Sequence, residues 1–117
     1  MKGSQLGEFE EIILLLIAVM QEDAYGLAIQ ERFQEQTGRS AAIGAVHSAL
    51  NRLEEKGFVE SQLAEATAER GGRRKRIFSM TLAGKNALQV SKDLRNNLWD
   101  QIPDYGFEGL KAVLLWR

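Results

Sequence analysis

The sequence predicts a mainly α-helical fold that carries one small β-hairpin. Three segments with helical spacing of apolar residues come first, and one longer helical segment comes last. Between them, two short segments of strand character flank a charged loop that contains Gly71-Gly72. A chain of 117 residues has the length of one domain with a modest core.

The composition is that of an ordinary globular protein without thiol chemistry. Hydrophobic residues make up 44% of the chain and charged residues 26%, which argues against disorder. Cysteine is absent, so disulfides and thiolate metal sites are excluded. The longest apolar run, Ile12 to Met20, is too short to span a bilayer. We therefore expect a cytoplasmic protein that has no membrane partner.

The first helical segment, about residues 7–21, is apolar on nearly all sides. Helical spacing joins Phe9, Ile12, Ile13, Leu16, Ile17 and Met20, and other faces carry Leu14, Leu15 and Val19. Such a helix needs cover all round, more than the core of so small a protein provides. A second copy of the chain is expected to supply the remaining cover.

Two shorter helices are expected next, and the third helix of the chain has one polar face. The second is expected at about residues 24–36, with Asp23 as its N-cap and a stop at Thr37-Gly38. The third is expected at 41–57, with an inward stripe of Ile43, Val46, Leu50 and Leu53. The opposite face is small and polar in its N-terminal half, so it can approach another surface closely; it carries Gly44, Ser48, Arg52 and Glu55, with Ala45 and Asn51 at the edges and His47 on the flank.

The loop between the predicted strands, 58–63 and 76–81, concentrates positive charge. Five bases fall within seven positions of a chain whose formal net charge is −1: Arg70, Arg73, Arg74, Lys75 and Arg76. Such a local concentration predicts a part that touches a polyanion while the rest of the protein stays away from it.

The last helix is expected to begin after Thr81 as its cap. Its apolar stripe is Ala87, Val90, Leu94, Leu98 and Ile102, and Pro103 should end or kink it. A further short helix is expected within 104–117.

This order of elements is that of a winged helix-turn-helix DNA-binding domain, residues 1–81, followed by a C-terminal dimerisation helix and short tail, residues 82–117. In such a domain the third helix, about 41–56, enters the major groove, and the basic wing, 70–76, reaches the backbone or minor groove. Ser48 and Asn51 are the expected base readers. The predicted DNA-binding set is Ser40, Ala45, His47, Ser48, Asn51, Arg52, Lys56, Arg70, Gly72, Arg73, Arg74, Lys75 and Arg76.

Two of these bases have alternative roles. Arg52 is equally suited to an ion pair with Glu55 or Glu31, which would orient the helix without touching DNA. Lys56 is expected to reach a phosphate or solvent.

Three segments carry a resemblance to a known family: LGEFEEIILLLIAVMQEDAYGLAIQERF, GAVHSALNRLEEKGFVES and ERGGRRKRIFSMTLAGKNAL. They resemble the first helix, the recognition segment and the wing of the PadR-like transcriptional regulators, over about residues 6–90. The resemblance implies a dimeric DNA-binding repressor or regulator of the small-sized branch, with a pseudo-palindromic operator. His47 stands where the family usually has a tyrosine that meets a DNA phosphate.

The resemblance also implies that the first and last helices form much of a dimer interface. Residues expected there, or around an effector pocket, are Phe9, Ile13, Ile17, Leu94, Leu98, Trp99 and Ile102. Trp99, with Phe107 and Trp116, either packs in the core or dimer or forms the wall of a pocket for a small aromatic effector.

Other classes of function find little support in the sequence. His47 is the only histidine, so no catalytic triad or metal cluster is expected, and neither is a cofactor or an enzymatic activity. The competing class is a winged-helix protein-interaction module whose basic loop binds an acidic partner. The outward face of the third helix lacks the exposed aromatic or large aliphatic residues of a protein hot spot, which favours DNA.

Overall fold

The computed structural model describes residues 5–65 and 74–104. These residues form four α-helices and one two-stranded antiparallel sheet. They are α1 (Glu8–Met20), α2 (Gly26–Thr37), α3 (Ile43–Glu55), β1 (Val59–Leu63), β2 (Arg76–Met80) and α4 (Leu82–Asp100), with a 3-10 turn at Gln21–Asp23. The predicted order of elements is confirmed, while the expected short helix in the tail lies outside the described residues.

The core forms where α1 packs against α2, α3 and the sheet. The buried residues of α1 meet the inward stripe of α3 and the apolar face of α2, and Phe58, Val59 and Phe78 close the core from the hairpin. From α1 the core takes Ile13, Leu14, Leu16, Ile17 and Met20; from α2, Ile29 and Phe33; and from α3, Val46, Ala49, Leu50 and Leu53. Burial of this apolar surface is the main favourable contribution to folding.

The start of α2 differs from the prediction. Asp23 is not its N-cap, because Asp23 lies in the 3-10 turn and the cap position is Tyr25, which makes no side-chain capping bond. The backbone of Ala24 is drawn toward the hairpin instead, since its carbonyl accepts a hydrogen bond from the Phe78 amide at 2.8 Å. The end of α2 is as predicted: Gly38 caps it in the left-handed conformation, with φ of 72°.

Thr81 joins the hairpin to α4. As predicted, its side-chain oxygen accepts a hydrogen bond from the Gly84 amide, and it also donates one to the Gly57 carbonyl at 2.6 Å. The Thr81 amide donates to the Phe58 carbonyl at 3.0 Å. α4 then ends at Asp100, before Pro103, so the proline follows the helix without kinking it.

Gly84 lets the first turn of α4 pack directly on the backbone that enters β1. A Cβ at this position would lie 2.3 Å from the Phe58 carbonyl oxygen, closer than any side-chain carbon can approach. Gly84 is the one residue of α4 that is buried, so most of this helix extends beyond the core.

We expect Gly84→Ala to lower the free energy of unfolding by about 1–3 kcal/mol, because the added methyl group must push a backbone carbonyl away. Urea denaturation measures the effect. Gly44→Ala is the matched control. A Cβ there meets nothing within 4 Å, so the free energy of unfolding should rise by about 0.5–1 kcal/mol. Equal stability of the Gly84 variant and the native chain would contradict the close packing described for α4.

Candidate nucleic-acid interface

The exposed face of α3 is polar along its length, and its side chains are small in the N-terminal half. Its exposed residues are Gly44, Ala45, His47, Ser48, Asn51, Arg52, Glu54 and Glu55, and none of them is a large apolar residue. Ala42 precedes the helix and Ser40 lies exposed in the connection from α2; neither caps α3 with a side chain. Because Asn51 and Ser48 are exposed, they are available for hydrogen bonds to base edges.

A chain of contacts brings the hairpin next to α3. The Lys75 Nζ lies 4.0 Å from the centroid of the Tyr25 ring, at the start of α2. One residue further on, Gly26 leaves room for the His47 ring of α3, whose Cε1 lies 2.9 Å from where a Gly26 Cβ would be. The basic strand end, the start of α2 and the flank of α3 thus form one surface.

The described arginines of the hairpin, Arg74 and Arg76, donate hydrogen bonds to β1 and the residue that follows it. Arg74 donates through Nε to the Ala64 carbonyl at 2.9 Å, and Arg76 donates to the Ser61 hydroxyl at 3.0 Å across the pair of strands. Both arginines are exposed and keep further N–H donors. The predicted contacts Arg70, Gly72 and Arg73 lie outside the described residues.

Arg52 and Lys56 both pair with one carboxylate of α1. Arg52 Nε lies 3.0 Å from Glu10 Oε2, so its partner belongs to α1 and the predicted partners Glu55 and Glu31 were wrong. Lys56 Nζ lies 2.6 Å from Glu10 Oε1 and 2.6 Å from the Gln5 carbonyl, and its side chain is only 15% exposed. α1 thus places a carboxylate beside Lys56, and the contact of Lys56 with phosphate stays a prediction.

The ion pairs change the acidity of Glu10, whose side chain is 12% exposed. Burial raises the pKa of its carboxyl and is the largest single influence, but the hydrogen bonds and charges of Lys56 and Arg52 together outweigh it. The pKa consequently lies below its ordinary value of 4.5.

The predicted dimer residues divide into two groups. Ile13 and Ile17 are buried in the core of one protomer, and Phe9 packs edge-on against Phe33, so the assignment of Ile13 and Ile17 to an interface was wrong. Leu15 and Val19 are the large apolar residues of α1 that remain exposed. Helical periodicity in the sequence placed Leu15 and Val19 on another face of α1, but it did not predict which face α2 and α3 would cover.

The second half of α4 presents an unpartnered apolar face within the described residues. Trp99 is 68% exposed and Leu94 58%, and the same helix exposes Val90, Leu98 and, just beyond its end, Ile102. Near its middle, α4 is held to α1 by Glu11, which accepts a hydrogen bond from Ser91 and pairs with Arg95 at 3.3 Å.

Trp99 does not line a deep pocket with the described residues of one protomer. It borders a shallow depression of about 240 Å³ with Ile102, Pro103 and Asp104, and its predicted companions Phe107 and Trp116 lie outside the described residues. A separate cleft of about 270 Å³ between α1 and α4 is lined by Glu11, Leu15, Leu88, Lys92, Arg95 and Asn96. Within residues 5–65 and 74–104, none of the helices has both the length and the apolar character needed to cross a bilayer.

Comparison with known proteins identifies the family to which this sequence is similar. The family model described as "Transcriptional regulator PadR-like family" matches residues 13–90. None of the curated proteins matches the chain in sequence.

Solved structures share the fold at low sequence identity. A PadR-like transcription factor from Bacteroides fragilis is 21% identical with a TM-score of 0.68, over 80% of this chain and 85% of that one. A PadR family transcription regulator from Clostridium difficile R20291 is 24% identical with a TM-score of 0.59, over 78% and 93%. Bacillus subtilis PadR in complex with operator DNA is 22% identical with a TM-score of 0.58, over 70% of this chain and 46% of that one.

The lowered pKa of Glu10 predicts an acid-sensitive contribution to stability. A carboxyl whose pKa is lower in the folded state stabilises the fold above its ordinary pKa, and that stabilisation is lost as pH falls through the folded value. Glu10→Gln should therefore lower the free energy of unfolding at neutral pH by about 1–3 kcal/mol and reduce its decline between about pH 5 and 3. Denaturation at a series of pH values measures both effects.

Glu31→Gln is the matched control, because Glu31 is an exposed carboxylate of α2. It should leave stability within about 0.5 kcal/mol of the native chain at each pH. If both variants behaved alike, the ion pairs of Glu10 would have no measurable effect on stability.

Proposed function

The chain belongs to the PadR-like family of transcriptional regulators, whose members are not enzymes, and we propose that it is a cytoplasmic homodimeric repressor of a pseudo-palindromic operator. Residues 1–81 form the DNA-binding unit in this proposal, and residues 82–117 form the dimerisation helix and tail. A dimer that occupies promoter DNA excludes other proteins from it, so repression is the simplest consequence of binding.

The observation that carries the proposal is the single surface formed by α3, the start of α2 and the hairpin. Lys75 contacts Tyr25, and the neighbouring Gly26 contacts His47 of α3, so a duplex lying along α3 would meet the hairpin bases at the same time. The lack of large apolar residues on the exposed face of α3 supports a groove of DNA over a protein partner.

Base reading and phosphate binding fall to different parts of this surface. Ser48 and Asn51 reach base edges from α3, while His47 and the hairpin bases bind phosphates, which position the protein without specifying sequence. Bacillus subtilis PadR, which shares the fold, is known in complex with operator DNA. Two α3 helices of a dimer would enter successive major grooves about 34 Å apart.

The exposed faces of α1 and α4 support a second copy of the chain as the partner. Leu15 and Val19 of α1 and the stripe of Leu94, Leu98 and Trp99 on α4 are large apolar residues left in water by one protomer. In this proposal Trp99 is a dimer contact.

The salt dependence of DNA binding tests the hairpin. If Arg74, Lys75 and Arg76 each neutralise a phosphate, a dimer makes about six contacts, and its affinity falls about 10³-fold between about 50 and 200 mM salt. We expect the Arg74→Ala, Arg76→Ala double variant to bind operator and random duplexes more weakly and to reduce the salt slope by about 3 to 4. Fluorescence anisotropy with the DNA upstream of the gene measures this, and Lys85→Ala, on α4 beyond the base of the hairpin, is the control.

Asn51→Ala should change a different quantity in the same assay. Removing a base contact costs about 1–3 kcal/mol of discrimination, so the ratio of operator to random affinity should fall about tenfold while the salt slope stays unchanged. An unaltered ratio would remove Asn51 from the base readers. Failure of the native chain to bind any duplex in dilute buffer would refute the proposed function.

Disruption of the apolar face tests the dimer. Leu98→Glu places a charge in the proposed interface and should convert the protein to monomers in sedimentation velocity, since burying an unpaired carboxylate costs several kcal/mol. Asn97→Glu adds the same side chain to a neighbouring exposed position of α4 and should leave the dimer intact. Dimers of the Leu98 variant at the native affinity would place the interface elsewhere.

A further inference from the structure

Two adjacent carboxylates of α1 hold two different helices. Glu10 pairs with Arg52 and Lys56 at the C-terminal end of α3, whereas Glu11 contacts Ser91 and Arg95 of α4. Neighbouring residues of a helix diverge by about 100°, so one turn of α1 can serve both sides. Of the two carboxylates, Glu10 is the one that contacts α3 and therefore the proposed DNA surface.

The pairing with Glu10 neutralises two positive charges at the C-terminal end of α3. Lys56 directs two of its three N–H donors to Glu10 and the Gln5 carbonyl, and Arg52 directs its Nε–H to the same carboxylate. Arg52 keeps half of its side chain exposed and lies on the face of α3 that carries Ser48 and Asn51. Without Glu10, both cations would be available to a nearby polyanion.

We propose that Glu10 is a positioning residue that raises the specificity of DNA binding: it withholds Arg52 and Lys56 from the phosphate backbone and fixes the orientation of α3 against α1. The inference rests on the proposed function of α3 as the recognition helix. Phosphate contacts strengthen binding to every sequence alike, so a recognition helix that keeps its own cations neutralised gains less from random DNA. Discrimination is then left to the polar base-reading side chains.

The salt slope distinguishes this role from a merely structural one. Glu10→Gln releases two cations per protomer and four per dimer, so the salt slope for a random duplex should become steeper, by up to about 3 to 4. Affinity for that duplex at low salt should rise, while the ratio of operator to random affinity should fall. A substitution that only loosened the fold would weaken both affinities without making the slope steeper.

The experiment compares the native full-length chain, Glu10→Gln and Glu31→Gln by fluorescence anisotropy. The probes are the DNA upstream of the gene and a random duplex of equal length, over a range of salt concentrations. The inference expects the steeper slope and the reduced ratio in the Glu10 variant alone. A native slope and ratio in that variant overturn it, as does the same change in the Glu31 variant, which removes an equal charge elsewhere.

A second variant keeps the inference testable if Glu10→Gln does not fold. Replacing Arg52 and Lys56 together with methionine keeps much of the length of each side chain and removes the cations. Because neither cation contacts phosphate in this inference, the salt slope should stay as in the native chain, and a slope reduced by about 2 or more overturns it. Native protein that binds neither duplex refutes the proposed function and this inference together, whereas normal native binding with an unchanged Glu10 variant refutes this inference alone.

Discussion

Burial of one face of α1 beneath α2 and α3 is the interaction on which the other features of the structure depend. Ile13, Leu14 and Ile17 are almost fully enclosed, and their burial decides which faces of the helix are left over. Leu15 and Val19 then remain exposed for the proposed second protomer, and Glu10 and Glu11 lie where they contact α3 and α4. A helix that is apolar on nearly all sides thus serves the core, the proposed interface and the proposed DNA surface together.

Local signals in the sequence were sufficient where a structure is decided by neighbouring residues. The Gly38 stop and the Thr81 cap were predicted correctly because each depends on backbone groups within a few positions. The same rule predicted Asp23 as the N-cap of α2, and this prediction was wrong. The Phe78 amide, 54 positions away, donates a hydrogen bond to the Ala24 carbonyl and draws that segment toward the hairpin. Local propensity is overridden where a distant strand competes for the backbone.

The candidate site shows the same limit. The polar face of α3 followed from helical periodicity, so the exposure of Ser48 and Asn51 was predicted correctly from the sequence. The partner of Arg52 and Lys56 could not be found, because Glu10 is separated from them by 42 and 46 positions and becomes their neighbour only through the packing of α1 on α3. For the same reason Ile13 and Ile17 were assigned to the wrong surface: periodicity defines the faces of a helix, and only tertiary packing selects the buried one.

The absence of a side chain at Gly84 affects the geometry of the proposed dimer. Backbone contact at this point sets the angle at which a 19-residue helix leaves the proposed DNA-binding unit. Such a helix is about 28 Å long, so a tilt of about 10° displaces its far end by about 5 Å, more than the rise of one base pair. In the proposed complex, the spacing between half-sites would therefore depend on the missing side chain at Gly84, which is not one of the proposed base readers.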